Sequence, residues 1–283
     1  PFDALVLATV TREIEDVLPA RVDRVYCAGI GQQAPSEVVL VLFRPGVRTQ
    51  ILISMHPRFA RVHLSLRERR PAPPSPFVLL VRKHLEGTHL VTARQQDRDR
   101  ILVLGFRSPL GSEPRLVVEI MGPGSNLILL DRDDRVLGAW REEPPRPERG
   151  GPARRILLPG LEYEPPPPPP TTGWGPFSAR EIAARQATRP ATGQAGRQPA
   201  GQAPGQAGRE TTGQAPGQAE PQPAPPPAQE IEEMWQEATT TPRPVVITDE
   251  HGLPRDYWCL LPLAHGPTGQ EYPTMSQLLD DFY

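Results

Sequence analysis

The chain has 283 residues, a formal net charge of −2, 37% hydrophobic and 6% aromatic residues. Its 39 prolines and 24 glycines gather in stretches that cannot bury a core, so less of the chain folds than its length allows. No apolar run approaches the roughly 20 residues needed to span a bilayer, and acids interrupt the apolar residues of the first 19 positions, so no secretory signal is read there.

The predicted elements begin with an amphipathic helix over 3–18. Asp3 can cap it, Leu5, Val6, Val10, Ile14, Val17 and Leu18 share a face, and Pro19 stops it. Short runs rich in Val, Ile and Leu follow at 21–26, 37–43, 49–55 and 60–65. Gly and Pro punctuate them, as in strands, and Pro45-Gly46 marks a turn. After the proline hinge at 71–76, residues 77–86 read as a helix with Ser75 as cap and Gly87 as stop. Further strands are expected at 89–94, 100–106, 115–121, 127–131 and 135–140. The fold class is α+β, a β-sandwich or barrel with flanking helices, over 1–143.

A proline-rich linker is expected at 144–170, ending in six consecutive prolines. Residues 171–185 hold a short helix. Residues 186–229 contain no Val, Ile, Leu, Met or aromatic residue and repeat GQAPGQA, so they read as a disordered insertion with nothing to offset ordering entropy. Order returns at 230–273, with a helical turn at 231–237 and a hairpin around Glu250-His251-Gly252. Thr274-Met-Ser-Gln277 is a capping box opening a helix at 274–283. So short a capped helix is marginal alone, which gives the expectation that the natural protein continues beyond this sequence.

Charge is distributed unevenly. Residues 44–107 carry 13 Arg or Lys against four acids, the footprint of a polyanion partner. The alternative is a solvated surface in an Arg-biased chain, whose only lysine is Lys83. Cys27 and Cys259 stand alone, so neither a zinc site nor a disulfide framework is expected, and two unpaired thiols suit a reducing cytoplasm. None of the six histidines sits in an HxH or HExxH pattern, and no GxSxG or phosphate loop occurs. No catalytic residue, metal or cofactor is therefore expected. Gly122–Asn126 reads as a hairpin turn, or as a loop whose amides meet phosphate. Thr172–Ile182, with Gly173 and Gly175, fits the second hairpin of a helix-hairpin-helix module, whose amides face a nucleic-acid backbone. An ordinary turn before a capped helix fits equally well.

Four phrases carry a family resemblance. They are Leu52–Leu64 (LISMHPRFARVHL), Leu80–Gly87 (LVRKHLEG), Glu119–Leu129 (EIMGPGSNLIL) and Thr274–Tyr283 (TMSQLLDDFY). In this order they resemble the NFACT family, also known as fibronectin-binding protein A-like proteins. The resemblance implies an N-terminal domain like that of formamidopyrimidine-DNA glycosylases, then a helix-hairpin-helix region. It implies a ribosome-associated quality-control factor, cytoplasmic and not an enzyme. Such a factor binds large ribosomal subunits obstructed by peptidyl-tRNA and recruits tRNA, chiefly alanyl-tRNA, for mRNA-independent C-terminal tailing, while peptide-bond formation is left to the ribosome. The family's Asp-Arg dipeptide, tied to tRNA binding, falls on Asp99-Arg100 ahead of Ile101; Asp97-Arg98 lies just before it. Arg61, His63, Arg82, Lys83, His84, Ser125, Asn126, Gly173 and Gly175 are the further nucleic-acid contacts the resemblance suggests. The family's usual MGRHSN loop is MGPGSN at 121–126 here, without its basic residue and histidine.

Two other readings compete. A DNA glycosylase would use a proline amine such as that of Pro1, but Phe2 stands where its glutamate is required, and two distant cysteines cannot build its zinc finger. A surface adhesin binding fibronectin rests on the older family name alone; no membrane partner is expected.

Overall fold

The computed structural model describes residues 2–29, 36–142, 155–167, 176–188, 228–264 and 267–283. Gly173, Gly175, Pro1 and the expected insertion at 186–229 lie outside the described residues, apart from Gln186–Thr188 and Ala228–Gln229, which belong to helices.

Helix α1 (Ala4–Asp16) starts where sequence chemistry places it: one carboxylate oxygen of Asp3 accepts the amides of Leu5 and Val6, each at 3.1 Å. Strands β1 (Ala20–Ala28), β2 (Glu37–Arg44), β3 (Val47–Ser54) and β4 (Arg61–Ser65) form an antiparallel meander. Pro45-Gly46 closes the β2–β3 turn, with Gly46 at φ 78°, a conformation that costs a Cβ-free residue little. The two-residue strand β5 (Pro71–Ala72) pairs with the end of β1, and helix α2 (Pro76–Leu85) follows. A second antiparallel meander runs through β6 (His89–Gln95), β7 (Ile101–Arg107), β8 (Arg115–Glu119), β9 (Asn126–Leu130) and β10 (Val136–Ala139). Both meanders belong to one ten-stranded sheet, joined where Ala20 and Arg21 of β1 pair with Leu90 and His89 of β6.

Helix α1 touches both β6 and β4, the two ends of the five-strand stretch β6-β1-β2-β3-β4. That part of the sheet therefore curls around the helix. Leu5, Val10 and Ile14 of α1 share one core with Leu40, Ile51, Leu102 and Leu116 of both meanders.

The chain then returns to this core. Helices α3 (Pro176–Thr188), α4 (Ala228–Thr240) and α5 (Met275–Phe282) flank a small sheet in the order β12 (Pro254–Trp258), β11 (Val245–Thr248), β13 (Thr268–Glu271). Helix α4 is a full helix where only a turn at 231–237 is read in sequence, and β13 is a strand the sequence reading omits. Met234, Trp258, Leu278 and Leu279 join the central core. The Thr274 hydroxyl accepts the Gln277 amide at 3.2 Å, as the capping box requires. The other amides at this helix start, those of Met275 and Ser276, go to the Glu13 carboxylate of α1 at 2.6 and 3.0 Å.

Residues 155–167 differ from the free linker read in sequence. Leu157 is fully buried in a second core with Ile101, Val117, Ile128, Leu130 and Val136. Arg155 forms a two-pronged pair with the buried Glu119 of β8 at 2.6 and 2.5 Å, and the Tyr163 hydroxyl donates to the same carboxylate at 2.8 Å. Two-pronged guanidinium–carboxylate geometry is strong and directional, so this segment is clasped to the outer face of β7–β10.

Candidate nucleic-acid interface

The β6–β7 turn carries the expected Asp-Arg pair and separates it from its neighbour. Asp97 and Arg98 have φ of 48° and 55°, and the Asp99 amide donates to the Gln96 carbonyl at 2.8 Å. Two consecutive left-handed residues closed by that bond make the mirror-image turn that suits hairpin twist. Arg98 at the tip reaches α4: it pairs with Glu232 at 2.7 Å, and its guanidinium carbon lies 5.0 Å from the Trp235 ring centroid. Hydrogen bonds from Gln236 and Arg98 hold the Glu232 carboxyl below its ordinary range.

Asp99 and Arg100 lie one step further on, immediately ahead of β7. The Asp99 carboxylate accepts the Arg100 amide at 2.7 Å, and its carbonyl accepts the Gln95 side-chain amide at 2.7 Å. The same Gln95 nitrogen also donates to the Ala4 carbonyl at 2.8 Å, tying the turn to the start of α1. The Arg100 side chain is 30% exposed; its Nε makes no hydrogen bond and sits 3.9 Å from Asp99 Oδ1. The turn is thus anchored through its backbone, while the Arg100 side chain is partly exposed with its Nε buried beside Asp99.

Several other expected contacts lie inside the fold. Arg61, on β4, is 1% exposed: it pairs with Glu37 of β2 at 3.1 Å, donates to the Phe59 carbonyl at 3.0 Å and stacks 4.3 Å from the Tyr283 ring. Burial lowers its pKa, opposed by Glu37. His63 is fully buried, its Nε2 3.1 Å from Asp280 of α5. Asp280 also accepts the Ser65 hydroxyl at 2.7 Å and the Leu66 amide at 3.1 Å. A carboxylate in this role only accepts, so Nε2 carries the imidazole proton. Burial pushes the His63 pKa down, against the pull of Asp280. Burial also opposes ionisation of Asp280, but hydrogen bonds from His63 and Ser65 outweigh it and hold that carboxyl low. Ser125 accepts the Met121 amide at 2.9 Å, and Asn126 clasps both backbone groups of Arg141 at 2.9 and 3.0 Å. Arg61, His63, Ser125 and Asn126 are therefore corrected to structural groups, because buried side chains with internal partners do not reach a nucleic acid. On α2, Arg82 donates to the Val25 carbonyl at 2.6 Å, Lys83 is exposed, and burial and Lys83 together lower the pKa of the half-buried His84.

The sequence reading missed Gln95, Trp235 and Glu232 around the turn. The available signal was the alternation of Ile231, Met234, Trp235 and Ala238 at helical spacing, which leaves Trp235 at the border of the buried face. No group of three or more His, Cys, Asp or Glu side chains is placed to hold a metal among the described residues. None of their helices is long and apolar enough to cross a membrane.

A large antiparallel sheet wrapped on one helix, with flanking helices and an anchored Asp-Arg hairpin turn, defines the class to which this chain is assigned by its architecture. The chain belongs to the NFACT family: residues 3–283 match that family's N-terminal and middle domains. It is 30% identical over 171 residues to the Rqc2 homolog RqcH of Bacillus subtilis, covering 58% of this chain and 28% of that protein. It is 31% identical over 143 residues to ribosome quality control complex subunit 2 of Saccharomyces cerevisiae, covering 50% of this chain and 13% of that protein. The chain thus spans less than a third of the length of these relatives. Among solved structures, the N-terminal part of the fibronectin/fibrinogen-binding protein of Streptococcus suis aligns with TM-score 0.70 and 22% identity over 100% of this chain and 99% of that one. The fibrinogen binding protein of Staphylococcus aureus aligns with TM-score 0.69 and 20% identity, covering 99% and 98%. Those two likenesses establish the fold.

Proposed function

We propose that this chain is the tRNA-recruiting portion of a ribosome quality-control factor, acting by binding and not as an enzyme. It works in the cytoplasm on large ribosomal subunits obstructed by peptidyl-tRNA, and it brings in tRNA, with alanyl-tRNA the favoured cargo, for mRNA-independent tailing of the stalled chain. The names of the family's relatives support the setting. The observation that carries the site is the β6–β7 turn: Asp99 is fixed through backbone bonds, while the Arg100 side chain stays 30% exposed with only a 3.9 Å approach to Asp99 among the described residues. A planar guanidinium in that state can take a phosphate or stack on an unpaired base, and Asp99 can orient it.

The finer architecture belongs to the same proposal. The sheet and α1 correspond to a formamidopyrimidine-DNA-glycosylase-like domain, and α3 with α4 to a helix-hairpin-helix region. Supporting the second assignment, α3 and α4 pack together and Arg185 bridges Glu181 and Glu237 at 3.2 and 2.6 Å.

Fluorescence anisotropy of labelled alanine tRNA tests this reading, with Asp99→Ala/Arg100→Ala, an abasic DNA duplex and soluble fibronectin as comparison arms. The expected result is salt-dependent tRNA binding that weakens at least about tenfold in the double variant, the scale of losing one charge-assisted contact, with no cleavage of the duplex. Equal tRNA binding by both proteins would remove the site from this turn; binding of fibronectin alone would transfer the function to adhesion.

A further inference from the structure

The polar face of β1–β4 has an open end that the β6–β7 turn does not explain. Cross-strand register places Arg24, Val41, Gln50 and Ser65 side by side on β1, β2, β3 and β4. Paired residues share a face of the sheet, so this row continues the buried Glu37–Arg61 and His63–Asp280 pairs toward solvent. At its end Arg24, Arg48 and Arg69 line a cleft of about 320 Å³ together with Tyr26, Gln50 and Glu68.

Little inside the protein engages these cations. Among the described residues, Arg24 and Arg48 have no carboxylate within 4.0 Å; Arg24 lies over the Tyr26 ring at 5.5 Å. Arg69 has only a long approach to Asp280 at 3.9 Å, and its Nε and one terminal nitrogen are buried without a hydrogen-bond partner. The Tyr26 hydroxyl reaches Gln50 at 3.3 Å. Burial raises its pKa while Arg24 and Arg48 oppose the rise, as expected for a phenol set among these cations.

We propose that this cleft binds backbone phosphates of the RNA held by the chain, as a contact separate from the Asp99–Arg100 turn. The proposal rests on the RNA-binding reading above. Three guanidiniums drawn from β1, β3 and the segment after β4 present planar donors suited to phosphate oxygens. Acceptors stand beside them, the Glu68 carboxylate and the Gln50 amide oxygen. A ribose 2′-hydroxyl next to a phosphate satisfies both kinds of group, its proton going to an acceptor while the phosphate meets the guanidiniums.

The test is a salt series of anisotropy titrations with a labelled ten-nucleotide single-stranded RNA. It compares the full chain with Arg24→Ala/Arg48→Ala and with Asp99→Ala/Arg100→Ala. Arg24 and Arg48 are exposed, so an unchanged melting temperature is expected for the first variant. Losing two phosphate contacts should weaken binding at least about tenfold at low salt. It should also flatten the dependence of log affinity on log salt by about 1.4, at roughly 0.7 per phosphate on a single strand. The turn variant should retain more of that slope. An unchanged affinity and slope in Arg24→Ala/Arg48→Ala, with weakened binding in the turn variant, would overturn the cleft and leave the RNA reading standing. A chain that binds no RNA in any form would sink both. Titration with inorganic pyrophosphate, followed by NMR of the arginine Nε resonances, separates sources: perturbation of Arg24, Arg48 and Arg69 by pyrophosphate without any response to RNA would reassign the cleft to a free phosphate compound and overturn the proposal.

Discussion

The β2–β4 face and the β6–β7 turn both carry arginines that look alike in sequence, yet the fold uses them in opposite ways. Arg61 is sealed between Glu37, the Phe59 carbonyl and the Tyr283 ring. Arg98 and Arg100 sit on a hairpin tip, one tied to α4 across the surface and the other partly open. A sealed guanidinium contributes to stability through the cost of leaving its partner alone. An open one contributes to recognition and little to the fold. Regional charge excess cannot separate these roles, because it counts both.

The sharpest way to break the comparison is to remove one member of the sealed pair. Glu37→Ala should cost about 3–5 kcal/mol in urea unfolding, because it strands a buried cation. Replacing both members, Glu37→Leu with Arg61→Met, should recover most of that loss. A small effect of Glu37→Ala would mean that Arg61 finds water and is not sealed.

A somewhat smaller effect is expected where the 155–167 segment closes. Arg155→Ala removes the cation that faces the fully buried Glu119, to which the Tyr163 hydroxyl still donates, and should cost about 2–4 kcal/mol. Limited proteolysis should then cut within this segment in the variant before it cuts the native chain.

His63 supplies a pH signature of the sealed face. Its pKa in the fold is depressed below the ordinary 6.5, so below that value the unfolded chain binds a proton that the folded chain resists. Stability should therefore fall as pH drops below about 6.5, by at most about 1.4 kcal/mol per pH unit. Asp3 and Glu13, whose carboxyls burial pushes up, act in the opposite sense just above their ordinary values. The contribution of His63 is consequently the difference between the wild-type and His63→Gln curves. Parallel curves between pH 5 and 7 would show that the imidazole charges freely in the fold.

The smallest effect belongs to the open region. Arg98→Ala should barely move the melting temperature, since its contact with Glu232 is exposed. It should nevertheless raise hydrogen exchange in the β6–β7 turn, because the turn loses its tie to α4. A large loss of stability would place Arg98 with the sealed group.

Local chemistry made much of this fold legible. Asp3 ahead of a helical apolar stripe, Thr274 and Gln277 as a capping box, and Pro45-Gly46 between two β-rich runs each determine structure within a few residues, through hydrogen bonds and steric limits the chain carries with it. Asp99-Arg100 stand immediately ahead of β7, which begins at Ile101, and Asp97-Arg98 occupy the turn tip. What only the tertiary structure decided involves partners far apart in sequence. His63 meets Asp280 across 217 residues, and Arg155 reaches Glu119 across 36. Residues 155–167 looked like linker because proline and charge dominate them, but Leu157 and Tyr163 found an apolar face on β7–β10. Burial is a property of the assembled surface and not of the residue type. Local sequence therefore determined where α1, α2, α5 and most strands of the large sheet form, while the packed sheet decided which charged groups were removed from water and which stayed at the surface.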